Sequence, residues 1–125
     1  MQIDIMKLNS KGSQLLEDFV NKTGVDGAIV ATAEGLEMAS YFKDGDKDAD
    51  LIAADSASML STITAMLDNT GKGNLKEMII TAENGSIAVK DLGEDVAFAV
   101  LAPSSHKMGG LVVALKLFIK EIQEF

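Results

Sequence analysis

The chain has 125 residues, of which 47% are apolar and 24% charged, which predicts one globular domain over residues 1–125 and argues against a disordered chain. The formal net charge is −8 and all eleven basic residues are lysine; an acidic surface without arginine argues against nucleic acid and anionic membranes as partners. Because there is no cysteine, no signal-peptide pattern and no apolar stretch near the roughly 20 residues that cross a bilayer, we expect a cytoplasmic protein without disulfides, thiolate-bound metal or membrane insertion.

The first half of the chain predicts one helix and a hairpin. We expect the helix from Ser10 to Thr23, because leucine, phenylalanine and valine recur there at helical spacing and Gly24 follows as a C-terminal cap. Residues 1–9 are expected to be flexible or extended. Two short apolar runs follow, Val25–Thr32 and Leu36–Phe42, and the glycine that ends their short connection predicts a tight antiparallel hairpin.

The second half predicts two more helices around three strands. A long helix is expected over Ala49–Thr70, with a glycine directly after it. The next three apolar runs, Leu75–Ala82, Ser86–Leu92 and Val96–Ala102, are separated by Asn-Gly and Gly-containing turns and predict a meander. Apolar residues at helical spacing then predict a third helix from Met108 to the C-terminus.

The predicted order is α-β-β-α-β-β-β-α, and its tight hairpins make neighbouring strands antiparallel. The first, third and fifth strands are apolar at nearly every position, which indicates that both of their faces are covered. We therefore expect an α/β (α+β) fold with one antiparallel sheet and helices on both of its faces.

The second helix has too many apolar and small residues for a single neighbour. Its apolar residues do not keep to one stripe, and alanine and serine fill its first half, so a second face is left to be covered. That cover is either a second protein or, if this is a central core helix, the rest of a monomer. Met59, Met66 and Met78 have the same two interpretations, since methionine fills cores and also forms adaptable partner contacts.

The acidic stretch before this helix has some features of a calcium-binding loop. Carboxylates alternate from Asp44 to Asp50, and Asp55 stands at the twelfth position. However, Ala49 replaces the glycine of the sixth position, and the twelfth residue is not glutamate. We interpret the stretch as a solvated connector in which Asp48 or Asp50 lies near the helix N-terminus.

The remaining motifs give no catalytic or cofactor site. Residues 71–73 (Gly-Lys-Gly) lack the other residues of a phosphate-binding loop, and residues 108–110 lack the full dinucleotide spacing. Ser104 and Ser105 offer an N-cap for the last helix. The only histidine, His106, is interpreted as a surface residue, because no ligand spacing completes a zinc site and adjacent serines do not form a hydrolase triad. We predict a protein that is not an enzyme and has no cofactor.

Several segments share their order and spacing with one known family: Thr23–Val30, Glu34–Ser40, the alanine-rich second helix, Leu101–Pro103 and Met108–Leu111. On these segments the chain resembles the Roadblock family of dynein light chain and GTPase-regulator proteins, in its bacterial and archaeal form. The similarity extends over about Leu8 to Ile122. It implies a profilin-like sheet of order 2-1-5-4-3, with helix two on one face and helices one and three on the other.

The resemblance also implies a homodimer in which helix two packs against its copy and strand three pairs edge to edge. Such pairing would cover both the second apolar face of helix two and the apolar edge strand. The residues we expect to mediate self-association are Ile52, Met59, Leu60, Ile63, Met66, Leu67, Met78 and Ile80.

The function implied by the resemblance is that of a homodimeric adaptor or regulator that binds a small Ras-like GTPase. GTPase activation commonly uses an inserted arginine, which this chain lacks, so any activation would have to act through the GTPase's own residues. The alternative is a small-ligand sensor that binds between sheet and helices, with residues 103–110 lining the pocket.

Overall fold

The computed structural model describes residues 3–93 and 95–125, which form three helices and five strands in the predicted order. The elements are α1 (Ile5–Thr23), β1 (Gly27–Thr32), β2 (Glu37–Phe42), α2 (Ala49–Asn69), β3 (Met78–Ala82), β4 (Gly85–Gly93), β5 (Val96–Pro103) and α3 (Met108–Glu124).

The five strands form one antiparallel sheet of order β2-β1-β5-β4-β3. The central pairs are in regular register, with Ala99 of β5 opposite Ile29 of β1 on one side and Val89 of β4 on the other. α1 and α3 cover one face, and α2 lies on the other. The predicted fold class and strand order are confirmed.

An aromatic cluster holds α1 and α3 against the sheet. Phe98 of β5 stacks on Phe118 of α3, with ring centroids 3.8 Å apart, and Phe19 of α1 meets both rings edge-on at 5.7 and 5.2 Å. All three side chains are fully buried. At the rim, Lys22 of α1 pairs with Glu121 of α3 at 2.6 Å, and this hydrogen bond raises the pKa of Lys22. This face of the sheet therefore has a complete core of its own.

The core under α2 is smaller and built from small side chains. Ala53, Ser56 and Ala57 are the buried residues of the helix. The hydroxyl of Ser56 donates to the backbone carbonyl of Ile52 at 2.7 Å, so this buried polar group is satisfied within the helix. The small residues let the helix approach the sheet closely, but they bury little apolar area per residue.

The first helix begins earlier than predicted. It starts at Ile5, because the Asp4 side chain accepts a hydrogen bond from the Lys7 backbone N–H at 3.0 Å and thereby caps it. Leu8 is fully buried and extends the apolar stripe by one more turn, and Ile3 is also buried. The prediction of a flexible or extended segment is therefore wrong for residues 5–9, while residues 1 and 2 lie outside those described.

The third strand is shorter and more exposed than predicted. It begins at Met78 rather than Leu75, and each of its residues is half-buried or exposed, whereas β1 and β5 are almost entirely buried. The prediction that both faces of this strand are covered is wrong within the single chain. The reason is its place at the sheet edge, where the helices do not enclose it.

One prediction about the helix starts is confirmed and one is wrong. Asp48 lies at the N-terminus of α2, as predicted, and there it accepts a hydrogen bond from the Leu51 backbone N–H at 3.2 Å that caps the helix. The N-cap position of α3 is Lys107, which makes no side-chain cap hydrogen bond. The predicted cap at Ser104 or Ser105 is wrong because both serines lie in the preceding turn.

A glycine in α1 provides a test of the contact between this helix and β2. A Cβ added at Gly12 would lie 2.6 Å from the Ala39 Cβ and 3.0 Å from Leu8 Cδ1. The cost of overpacking, about 1–3 kcal/mol, exceeds the gain in helix propensity of about 1 kcal/mol. We expect Gly12→Ala to lower the urea midpoint of unfolding. The matched control is Gly109→Ala in α3, where the added Cβ meets no atom within 4 Å and stability should not fall. A Gly12→Ala variant as stable as the parent would contradict the close contact.

Candidate protein-binding surface

An open apolar groove of about 330 Å³ lies between α2 and the edge strand β3. It is lined by Ser58, Met59, Thr62, Ile63, Met66, Met78 and Ile80. Five of these seven side chains are apolar, so the groove is suited to burial against another apolar surface rather than to chemistry.

The helical side of the groove follows from residue spacing. Met59, Ile63 and Met66 are separated by four and three residues, which places them along one flank of α2. Ala53 and Ala57, which are also four residues apart, lie on the side of α2 that faces the sheet, and both are buried. α2 therefore has one flank on its own sheet and a second apolar flank beside it.

The strand side of the groove follows from alternation along β3. Met78 and Ile80 are opposite Val89 and Ile87 of β4, on the sheet face that α2 covers. Ile79 between them faces the other way and packs against the core under α1 and α3. β3 thus supplies two apolar side chains to the groove and presents its outer edge beside them.

The groove residues are more exposed than core residues of the same type. Met66 is 57% exposed and Ile80 is 40% exposed. Met59, Ile63 and Met78 are half-buried. These partly exposed apolar side chains make the groove a candidate interaction surface.

The structure brings together five of the eight residues predicted for self-association: Met59, Ile63, Met66, Met78 and Ile80. The other three, Ile52, Leu60 and Leu67, are half-buried and do not line the groove. Ile52 and Leu60 pack against the core under α2, so part of each side chain already contacts its own sheet.

Sequence reasoning missed the two hydroxyl residues of the groove. Ser58 and Thr62 lie four residues apart on α2, which is the spacing of one helix face. Neither residue belongs to a pattern of large apolar residues, although Thr62 lies three residues after Met59 and four before Met66, which is a same-face spacing.

The opposite flank of α2 borders a more polar groove of about 380 Å³. Its lining includes Asp91 near the end of β4, Asp95 from the turn between β4 and β5, and Ser61 and Thr64 from α2. The Asp91 carboxylate also accepts a hydrogen bond from the Gly93 backbone N–H at 2.7 Å. The two flanks of α2 therefore differ in character, one apolar and one acidic and hydroxyl-rich.

Residues 11–102 match the family model of the Roadblock/LC7 domain. The chain belongs to the Roadblock/LC7 family. No curated protein matches the sequence.

Solved structures share the fold of this Roadblock/LC7 chain at low sequence identity. MglB of Myxococcus xanthus is 12% identical, with 92% of this chain and 94% of that chain covered and a TM-score of 0.83. A Roadblock/LC7 domain from Streptomyces avermitilis is 20% identical, with coverages of 90% and 94% and a TM-score of 0.79. An MglB in a tetrameric arrangement is 17% identical, with coverages of 91% and 86% and a TM-score of 0.79.

The acidic connector of this Roadblock/LC7 domain uses its carboxylates locally. Asp44 accepts a hydrogen bond from the Asp46 backbone N–H at 3.0 Å and pairs with Lys47 at 3.3 Å, and these two contacts, in that order, lower the pKa of Asp44. Asp48 caps α2. Among residues 3–93 and 95–125, no three histidine or carboxylate side chains are grouped to hold a metal ion.

His106 links the segment between β5 and α3 to the C-terminal end of α1. Its Nε2 lies 2.9 Å from the carbonyl oxygen of Thr23 at the end of α1, and its Nδ1 lies 3.2 Å from the carbonyl oxygen of Lys107. Both ring nitrogens therefore face backbone carbonyls rather than the neighbouring serines. The histidine is half-buried, so it is more enclosed than the surface residue we predicted.

Two further predictions concern the loops. Gly71 and Gly73 adopt positive φ of 69° and 87° in the loop after α2, as expected of a helix cap and loop. The two grooves described above are not lined by residues 103–110, the segment proposed to hold a small ligand.

Within the described part of the chain, no helix is both long and apolar enough to span a membrane.

We expect the His106 contact to stabilise the fold without taking part in binding. His106→Ala removes the hydrogen bond to the Thr23 carbonyl, which should lower the free energy of unfolding by about 1 kcal/mol. Ser105→Ala, at an exposed position in the same turn, should change it by less than about 0.5 kcal/mol. Urea unfolding measures both. Equal stability of His106→Ala and the parent would refute the structural role of this contact.

Proposed function

We propose that this protein is a homodimer that binds a small Ras-like GTPase and acts as an adaptor or regulator rather than as an enzyme. The observation that carries the proposal is the apolar groove beside the edge strand β3, in a chain of the Roadblock/LC7 family. Groove and edge are adjacent, so one partner surface can cover both.

A second copy of the chain fits this surface on symmetry grounds. Ile80 is the middle residue of β3, so a two-fold axis beside it would pair the strand with its copy along its whole length. The two five-stranded sheets would then form one sheet of ten strands, with both α2 helices on the same face. Such pairing removes an apolar strand edge that is otherwise prone to aggregate. The tetrameric arrangement of a structurally similar MglB supports self-association as a property of the fold.

A regulatory role cannot use an inserted arginine, because the 125 residues contain none. In enzymes that act on GTP, an inserted arginine stabilises the charge of the transition state. Regulation by this protein would instead reposition the GTPase's own residues or favour one state of its switch loops.

The alternative of a small-ligand sensor is favoured by one observation. The groove volume, about 330 Å³, falls at the lower end of the range for small-molecule sites. Dimerisation and ligand binding would compete for this groove. A ligand that raises the melting temperature of a monomeric protein would therefore support the sensor over the dimer.

We expect charges in the groove to abolish the dimer. In the Met59→Asp/Ile63→Asp double variant and in Met66→Asp alone, dimerisation would bury unpaired carboxylates, which is strongly unfavourable. Light scattering after size-exclusion chromatography should give the monomer mass, and far-ultraviolet circular dichroism should show that the helices remain. Val113→Asp, at an exposed position on α3, is the matched control and should stay dimeric. An intact dimer of both groove variants would refute the interface.

Binding to a GTPase is also tested by measuring molecular mass with light scattering after size-exclusion chromatography. The protein is mixed with a Ras-like GTPase from the same cell, loaded with GDP or with a non-hydrolysable GTP analogue. We expect a complex in one nucleotide state, and the rate of phosphate release from GTP then separates an activator from a scaffold. A dimer that gains no mass in either state would contradict GTPase binding while leaving self-association intact.

A further inference from the structure

We propose that Met59, Met66 and Met78 form an oxidation site at which hydroperoxides weaken the self-association of this chain. The inference rests on the proposed dimer. It follows from the position of these three thioethers, which come from two elements of the fold and line a single groove.

The groove holds three of the seven methionines in the sequence. Met6 in α1 and Met108 at the start of α3 are exposed by 84% and 55% and lie outside it. The chain therefore carries exposed methionines that serve as internal references for the groove residues.

The reaction is a two-electron oxidation by a hydroperoxide. A sulfur lone pair attacks one peroxide oxygen, a sulfur–oxygen bond forms and the oxygen–oxygen bond breaks. With hydrogen peroxide, the leaving hydroxide takes up the proton of the transferred oxygen and departs as water. The product is methionine sulfoxide, which methionine sulfoxide reductases convert back to the thioether, so the change is reversible.

A sulfoxide in this groove opposes association because its oxygen is a strong hydrogen-bond acceptor. Of the seven lining residues, only Ser58 and Thr62 carry side-chain donors. Covering the groove with a second apolar surface would remove water from the new oxygen without replacing its hydrogen bonds. We expect the dimer dissociation constant to rise on the order of tenfold or more.

Self-association and oxidation oppose each other, because a second copy bound in the groove would block the access of peroxide to its methionines. Met66 is 57% exposed in the single chain, so it is the groove methionine that a peroxide meets first. A second copy seated on the groove would shield it. Oxidation of the groove should therefore proceed through the dissociated chain and slow as protein concentration rises, whereas oxidation of Met6 and Met108 should not change.

The test uses the full chain and hydrogen peroxide. Peptide mass spectrometry follows the oxidation of each methionine at several protein concentrations, and sedimentation equilibrium gives the dimer dissociation constant before and after treatment. The Met59→Leu/Met66→Leu/Met78→Leu variant keeps the groove apolar at similar volume, and its own dissociation constant should be the same before and after peroxide treatment. The Met6→Leu/Met108→Leu variant is the control and should lose affinity as the parent does. Treatment with the two methionine sulfoxide reductases, one for each sulfoxide epimer, and a dithiol that supplies the two electrons should restore the parent dimer.

Four results would overturn the inference. The dissociation constant could stay unchanged although sulfoxide is found in the groove, or the groove methionines could react at one rate at all protein concentrations. The triple leucine variant could remain as sensitive to peroxide as the parent. Finally, an untreated chain that is monomeric at all concentrations would overturn both this inference and the proposed dimer, whereas the first three outcomes leave the dimer in place.

Discussion

The unequal cover of the two sheet faces is the constraint from which the binding surface follows. Five strands spaced roughly 4.8 Å apart span roughly 19 Å, whereas one helix with its side chains is about 10–12 Å wide. α1 and α3 share one face, but α2 lies alone on the other, chiefly over β1 and β5. One helix cannot cover that face, and the uncovered part falls at β3.

The two layers accordingly have different roles. The layer of α1 and α3 is completed by the buried stack of Phe98 on Phe118 and by the edge-on contacts of Phe19, so it stabilises the sheet without outside help. The layer of α2 is built on Ala53, Ser56 and Ala57, which bring the helix close but leave its flank unburied. The complete core and the candidate binding groove thus lie on opposite faces of one sheet.

Methionine at the unburied flank adds a chemical property to this division. A leucine-lined groove would support association equally well by apolar area, but only a thioether can be converted reversibly into a polar group. In the proposed dimer, such a change in polarity would act at the interface. In the layer under α1 and α3 the fully buried large side chains are mainly phenylalanine, leucine and valine, and Met38 packs against them only partly buried.

The sequence by itself determined the element order, the antiparallel hairpins and the helix ends at Gly24 and Gly71, because turns and caps depend on residues that are neighbours in the chain. It also indicated that α2 needs two neighbours, since apolar periodicity reports how much of a helix must be covered. The strand order came from the family resemblance and not from periodicity.

Only the tertiary structure decided which flank of α2 meets β3. Helical spacing identifies the residues of a face, but the direction of that face depends on how the helix docks on the sheet. For this reason Ile52 and Leu60, which we predict to mediate self-association, lie outside the groove and pack partly against their own core, while Ser58 and Thr62 line the groove unpredicted. The exposure of β3 likewise depends on the strand order and on the width of one helix, and neither can be read from the residues of the strand itself.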